Sequence, residues 1–267
     1  MPLNESPAPP IEARGVSISF GDTQVLRDIS FQLNRGETIM LLGVTGSGKS
    51  VLLKLIAGLI KPDAGEIFID GQNAVPLRES ELNPLRKRMG VVFQEGALFD
   101  SLSVYENVAY PLRESGEQDE ERIEQCVRQV LGFVEMESAI EKMPAELSGG
   151  MRRRVSVARA IVTRPEIMLY DSPTAGLDPV TANTINVLIA KLRDFQHVSS
   201  ILVTQRVQDA LFLASTQFSG EKLARRVDHQ AGPPTRFMVL REQQVYFLGT
   251  REEWAHTRDP YLANFIS

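Results

Sequence analysis

The stretch LSGGMRRRVSVARAIVTRPEIMLYDSPTAGLD, residues 147–178, decides the fold. Its first half reads as a helix opening on two glycines, where backbone amides lie open to an anion and Ser148 adds a hydroxyl donor. Met151, Val155, Ala158 and Val162 recur at spacings of three and four, so one face of that helix is anchored in a core. The second half contains a nearly continuous apolar strand, Glu166 to Asp171, of the kind that is buried on both faces in a parallel sheet. It ends on Asp171, a carboxylate able to orient a water on a metal or the metal itself, or else a structural strand-end acid. Asp178 and Pro179 then suit the N-cap and first position of a helix reaching about Phe195.

Upstream, Gly43-Val44-Thr45-Gly46-Ser47-Gly48-Lys49-Ser50 fits G-x-x-x-x-G-K-[ST] in full. The glycines let the loop close around phosphate oxygens, and the amides of the following helix point at the anion. Lys49 supplies charge to the β and γ phosphates, and the Ser50 hydroxyl sits on Mg²⁺. The context is the required one. A strand, Glu37 to Gly43, precedes the loop, and a helix from about Gly48 to Ile60 follows, carrying Val51, Leu52, Leu55 and Ile56 before Lys61 and Pro62.

Further strands are expected at Val16 to Phe20, Val25 to Leu33, Gly65 to Asp70, Met89 to Gln94 and Ser199 to Thr204, with helical pattern from about Ser103 to Thr163. Strand, helix and strand alternate, which indicates an α/β core. The 267 residues allow one large domain or two small ones, and 43% hydrophobic with 24% charged residues is an ordinary globular composition. No apolar run approaches the roughly 18 residues needed to cross a bilayer. The opening MPLNESPAPP reads as a short flexible leader at residues 1–10, so the chain is expected in the cytosol. Cys126, the single cysteine, cannot form an internal disulfide. A net charge of −5 argues against a broad nucleic-acid footprint, and Arg152 to Arg154 read as a solvated helix face.

Leu147 to Gly150 resembles the signature motif of ABC transporter nucleotide-binding subunits, and the chain resembles that family from about Ile11 to Gly249. The resemblance implies a P-loop NTPase (RecA-like) core, an antiparallel β subdomain and an inserted α-helical subdomain at about 95–164, within an ATP-binding domain at 11–250. It implies ATP and Mg²⁺, with two chains closing around two nucleotides. Phe20 matches the adenine-stacking aromatic, and Gly43 to Ser50 hold the phosphates. Ser50, Gln94 of the Q-loop and Asp171 of the Walker B strand serve the metal. Ser148, Gly149, Gly150 and Asp178 of the D-loop act on the other subunit's nucleotide. Alone, Phe20 reads more readily as a core strand residue, Gln94 as a surface amide and Asp178 as only a helix cap. Phe93 to Glu114, PAELSGGMRRRV and YDSPTAGLDPVTANTI look like the ATPases of MCE-type phospholipid transport systems (Mla family). These serve membrane permeases in Gram-negative bacteria. That narrower resemblance implies a permease, a second ATP-binding subunit, an MCE-type substrate-binding protein and a peripheral position on the inner face of the cell membrane. Leu98 and Phe99 either line a groove for a permease segment or close the helical lobe.

Two positions depart from the family. Ser172 stands where the family has the glutamate that polarises the attacking water, and Gln205 stands at the switch histidine. A neutral hydroxyl cannot take a proton near pH 7, and general-base help is worth about 10² to 10⁴ in rate, roughly 3 to 5 kcal/mol. Glutamine can hold a water or bond a γ-phosphate but cannot carry a proton as imidazole does. With Lys49, these are the candidate catalytic positions. Either the chain turns over slowly or it is an ATP-binding switch, alone or beside an active ATPase. Residues 216–235 read as a surface insertion or a docking element. The tail at 251–267, with Trp254, Tyr261 and Phe265, packs on its own core or on a second subunit.

Overall fold

The computed structural model of the chain describes residues 8–219, 222–225 and 234–263. Strands β1 (Ile11–Phe20) and β2 (Thr23–Leu33) form an antiparallel pair, and β3 (Thr38–Gly43) runs into the P-loop and α1 (Lys49–Ile56). After α1 come β4 (Ala64–Ile69), β5 (Gln72–Asn73), α2 (Glu79–Arg86) and β6 (Met89–Val92). The helical lobe is α3 (Val104–Glu114), α4 (Glu120–Phe133) and α5 (Gly149–Ile161). Core elements return as β7 (Ile167–Asp171), α6 (Pro179–Gln196), β8 (Ser199–Val203) and α7 (Val207–Ser215). The chain then forms β9 (Thr216–Ser219), β10 (Lys222–Arg225), β11 (Thr235–Arg241), β12 (Gln244–Gly249), α8 (Arg251–His256) and α9 (Pro260–Ala263).

The central sheet has the order β12-β11-β3-β8-β7-β6, parallel except for the β12 edge, and β2-β1-β4-β5 form a separate antiparallel sheet. Every residue of β3 and β8 is buried. Alternate residues face different layers, as the two-residue period of a strand requires. Ile39, Leu41, Leu169, Ile201 and Leu240 meet α1 and the antiparallel sheet. Met40, Leu42, Met168, Leu202 and Val239 meet α5, α6 and the helical lobe. The expected α/β core with an antiparallel subdomain and an inserted helical lobe is therefore the observed architecture. Among the described residues, no helix is long and apolar enough to cross a membrane.

One boundary needs correction, and two elements were not anticipated. Helix α1 stops at Ile56 and not near Ile60, because Gly58 turns left-handed (φ 66°). Arg86 then covers the freed carbonyls of Ala57 (3.2 Å) and Gly58 (2.7 Å). The polar stretch from Thr216 begins as the hairpin β9–β10. Buried Arg193 anchors it by donating to the carbonyls of Leu213 and Thr216, while Asp194 accepts the Phe218 amide at 2.8 Å. Residues 220–221 and 226–233 of that stretch lie outside the described residues. Helix α2 is short and mostly polar, and ESELNPLR buries only Leu82 and Leu85, three residues apart on one face.

The tail packs on its own core. Trp254 is buried with its ring 4.9 Å from Phe237 and 5.9 Å from Phe247, and its indole N–H donates to the Leu262 carbonyl at 3.1 Å. Phe265 and residues 1–7 of the leader lie outside the described residues.

Candidate nucleotide site

The loop between β3 and α1 is shaped by its glycines. A Cβ on Gly43 (φ 147°) would lie 2.7 Å from both the Leu240 carbonyl and Ser47 Oγ, and one on Gly48 (φ 93°) 2.5 Å from Leu26 Cδ2. Gly48 is also the N-cap of α1 and offers no side-chain acceptor, so the first-turn amides remain directed at the loop interior. Lys49 is buried, with Nζ donating to the carbonyls of Gly43 and Val44 at 2.8 Å each. Burial pushes its ammonium below the usual lysine value, and the negative charge of Asp171 opposes that shift. Anionic oxygens are better partners for this charge than two neutral carbonyls. Ser50 Oγ donates to Asp171 Oδ1 at 3.1 Å, which joins the P-loop helix to the end of β7. A hydroxyl and a carboxylate side by side are the hard oxygen donors that Mg²⁺ requires, so the residues fit that ion.

Phe20 ends β1 with 53% of its surface exposed, a strand-end ring that its own core does not use. Gln94 follows β6 and is exposed, without a side-chain hydrogen bond among the described residues. Among the described residues no hydrogen bond joins it to the Ser50–Asp171 pair.

Ser172 is 6% exposed and left-handed (φ 49°). Its amide donates to the Val203 carbonyl at 3.0 Å, and its hydroxyl lies 3.4 Å from Asp171 Oδ1. The position expected to activate water therefore carries a hydroxyl turned toward the metal-side carboxylate. Gln205 is exposed at the tip of a turn in which Thr204 Oγ1 accepts the Arg206 amide at 3.0 Å.

The glycine-rich helix start lies apart from this loop. Ser148 caps α5 by accepting the Met151 amide at 3.2 Å, and Ser148 and Gly149 are exposed. Asp178 caps α6, accepting the amides of Val180 and Thr181 at 3.0 Å each. Hydrogen bonds from the Thr181 side chain and amide hold its carboxyl below the usual aspartate range. Gly150 is buried where a Cβ would run into Thr181 Cγ2, so α5 and α6 meet at a glycine. Gly150→Ala should lower stability by about 1 to 3 kcal/mol through overpacking. Thermal melts would check this: Gly150→Ala combined with Thr181→Ser should recover most of the loss, and no recovery would assign the cost elsewhere.

Arg152, Arg153 and Arg154 do not form a solvated face. Arg152 donates to the Leu147 carbonyl at 2.6 Å, and Arg154 donates to the Val134 carbonyl at 3.4 Å and pairs with Glu135. Arg153 is only 5% exposed and donates to the Phe93 carbonyl at 2.5 Å, beside Gln94. Sequence reasoning missed two further ties. Arg159 donates to the carbonyls of Gly96 (3.1 Å) and Ala97 (2.8 Å) with its guanidinium 5.5 Å from the Phe99 ring. Buried Asn107 donates to the carbonyls of Phe99, Leu102 and Ser103 and accepts the Phe99 amide. The readable trace of the second was the capping box Ser103–Glu106, which places Asn107 in the first turn of α3. Leu98 packs on the core while Phe99 is exposed, 4.9 Å from Tyr110. Tyr110 borders a cleft of about 950 Å³ lined also by Met89, Leu112, Cys126 and Arg164.

A strand–loop–helix phosphate cradle, a hydroxyl–carboxylate metal pair and a separate glycine-rich helix start define a P-loop nucleotide-binding cassette. The chain belongs to the ABC transporter family, which it matches over residues 26–175. It is 34% identical over 256 residues to the intermembrane phospholipid transport system ATP-binding protein MlaF of Haemophilus influenzae, covering 96% of this chain and 89% of that one. It is 39% identical over 212 residues to MlaF of Escherichia coli K12, covering 79% of each chain. A solved dimeric ATP-binding cassette in a post-hydrolysis state, bound to ADP and Pi, superposes with a TM-score of 0.76 at 29% identity, covering 90% of this chain and 98% of that one.

Proposed function

We propose that this chain is the ATP-binding subunit of a phospholipid transporter, in which binding of Mg-ATP closes two cassettes and drives a membrane permease. The observation that carries the reading is the intact binding half: Lys49 held over the loop carbonyls and Ser50 Oγ 3.1 Å from Asp171. Gly43 to Ser50 hold the phosphates, with Phe20 against the adenine, and Ser50, Asp171 and Gln94 serve the metal. Ser148, Gly149, Gly150 and Asp178 serve the nucleotide of a second subunit, identical or not. Mg²⁺ neutralises charge on the phosphates. The relatives' names supply the lipid class, and a membrane permease, an MCE-type partner and a peripheral place on the inner face of the cell membrane complete the proposal.

The permease segment docks in the cleft beside the Phe99–Tyr110 pair, where two exposed aromatic rings stand next to an open groove. The test is photo-crosslinking in cells from a reactive amino acid at Tyr110, with Phe195 as a control on α6. An integral membrane protein captured from Tyr110 alone is the expected result. Capture of soluble proteins only would overturn the permease reading.

A second reading is favoured by Ser172 and Gln205: the chain's own site binds ATP without useful turnover, and its Ser148 helix start completes the site of an active partner. Mg-ATP hydrolysis by the purified chain, abolished by Lys49→Ala, would exclude it.

A further inference from the structure

We propose that Asp209 is a positioning residue whose single buried carboxylate locks the turn after β7, helix α6 and the Gln205 turn into one unit. The proposal rests on the ATP-binding reading above.

Asp209 lies in the first turn of α7 and is 5% exposed. Its Oδ2 accepts the Thr174 hydroxyl at 2.6 Å and lies 3.6 Å from Arg206 Nε, while its Oδ1 accepts the Asn186 amide at 2.9 Å. The partners come from the three segments that carry the candidate reaction and closure groups. Thr174 belongs to the turn whose Ala175 amide donates to the Ser172 carbonyl at 3.0 Å. Asn186 lies two turns into the helix capped by Asp178. Arg206 follows Gln205.

Burying a carboxylate is expensive, and two hydrogen bonds with one guanidinium offset that cost only while all three segments stay together. Asn186 supports the same conclusion, because among the described residues its buried Oδ1 has no hydrogen-bond partner. An apolar residue of similar size would avoid that loss, so the position is explained by the N–H it gives to Asp209. Ser172 and Gln205 have no side-chain tie to each other, and Asp209 sets their spacing from behind. Asp178 joins the same unit through α6, which links nucleotide-side geometry to the surface offered to a second subunit.

The test is Asp209→Asn in the full chain, which keeps the volume while discarding the charge. Amide exchange should speed up about tenfold or more in peptides covering Ser172–Asp178 and Thr204–Asp209, with peptides from α4 unchanged, since a bond to a charged group is worth about 1.5 to 3 kcal/mol. Affinity for a fluorescent ATP analogue should stay within about twofold, and ATP-driven dimerisation should weaken about tenfold. Thr174→Val removes one tie at nearly constant volume and should loosen the same two peptides, so the proposal stays testable if Asp209→Asn fails to fold. Unchanged exchange at both turns, or a uniform rise across the chain, would overturn the proposal. If the wild-type chain binds no ATP, the ATP reading falls, and the exchange data still decide the role of Asp209.

Discussion

Replacing Lys49 with alanine should weaken ATP binding by about 100-fold or more and reduce any Mg-ATP turnover to background. The ammonium is buried over the carbonyls of Gly43 and Val44, and under the proposed function its partners in the bound state would be anionic oxygens. Losing charge-assisted bonds of about 1.5 to 3 kcal/mol each corresponds to that factor. Stability should change little by comparison, because the variant removes a desolvated charge along with its contacts. Fluorescent-nucleotide titration and a melting curve on the same samples separate the two effects. Retention of wild-type affinity would mean that the loop binds through its amides alone.

Ser172→Glu should raise Mg-ATP turnover, by as much as the roughly 10² to 10⁴ that general-base assistance supplies. The wild-type hydroxyl lies 3.4 Å from Asp171 Oδ1 and offers no proton acceptor of useful basicity. The backbone there is already left-handed, a conformation that costs non-glycine residues roughly 1 to 2 kcal/mol, so the new side chain inherits the geometry without a fresh backbone penalty. Steady-state phosphate release from purified wild-type and variant chains is the measurement. Equal rates would show that residue 172 does not limit turnover. Gln205→Ala should lower whatever activity remains, and unchanged turnover would remove that side chain from the reaction.

The sequence was most legible where one residue type has one physical use. The P-loop glycines, Lys49 and Ser50 form the expected strand–loop–helix turn, and the apolar run into Asp171 is a buried strand. Asp178 and Pro179 capped α6 as their chemistry required. Long-range side-chain ties were not legible. Arg153 and Arg159 look like surface charges in one dimension, and only the packing of α5 against the segment after β6 turns them into carbonyl anchors. Asp209 carries no signal in one dimension, because Thr174 and Asn186 approach it from 35 and 23 residues away. The hairpin β9–β10 was hidden because the ties that anchor β9 come from Arg193 and Asp194 of α6.

The close approach of Gly150 to Thr181 gives the proposed dimer a mechanical property. With only the Thr181 side chain between them, the helix bearing Ser148 and the helix bearing Asp178 are packed closely enough to move as one jaw instead of two independent fingers. In the proposed dimer such a jaw would meet the neighbour's nucleotide as a whole, so that closure on it would be a single event. Closure should therefore follow ATP concentration more steeply than one-site binding would.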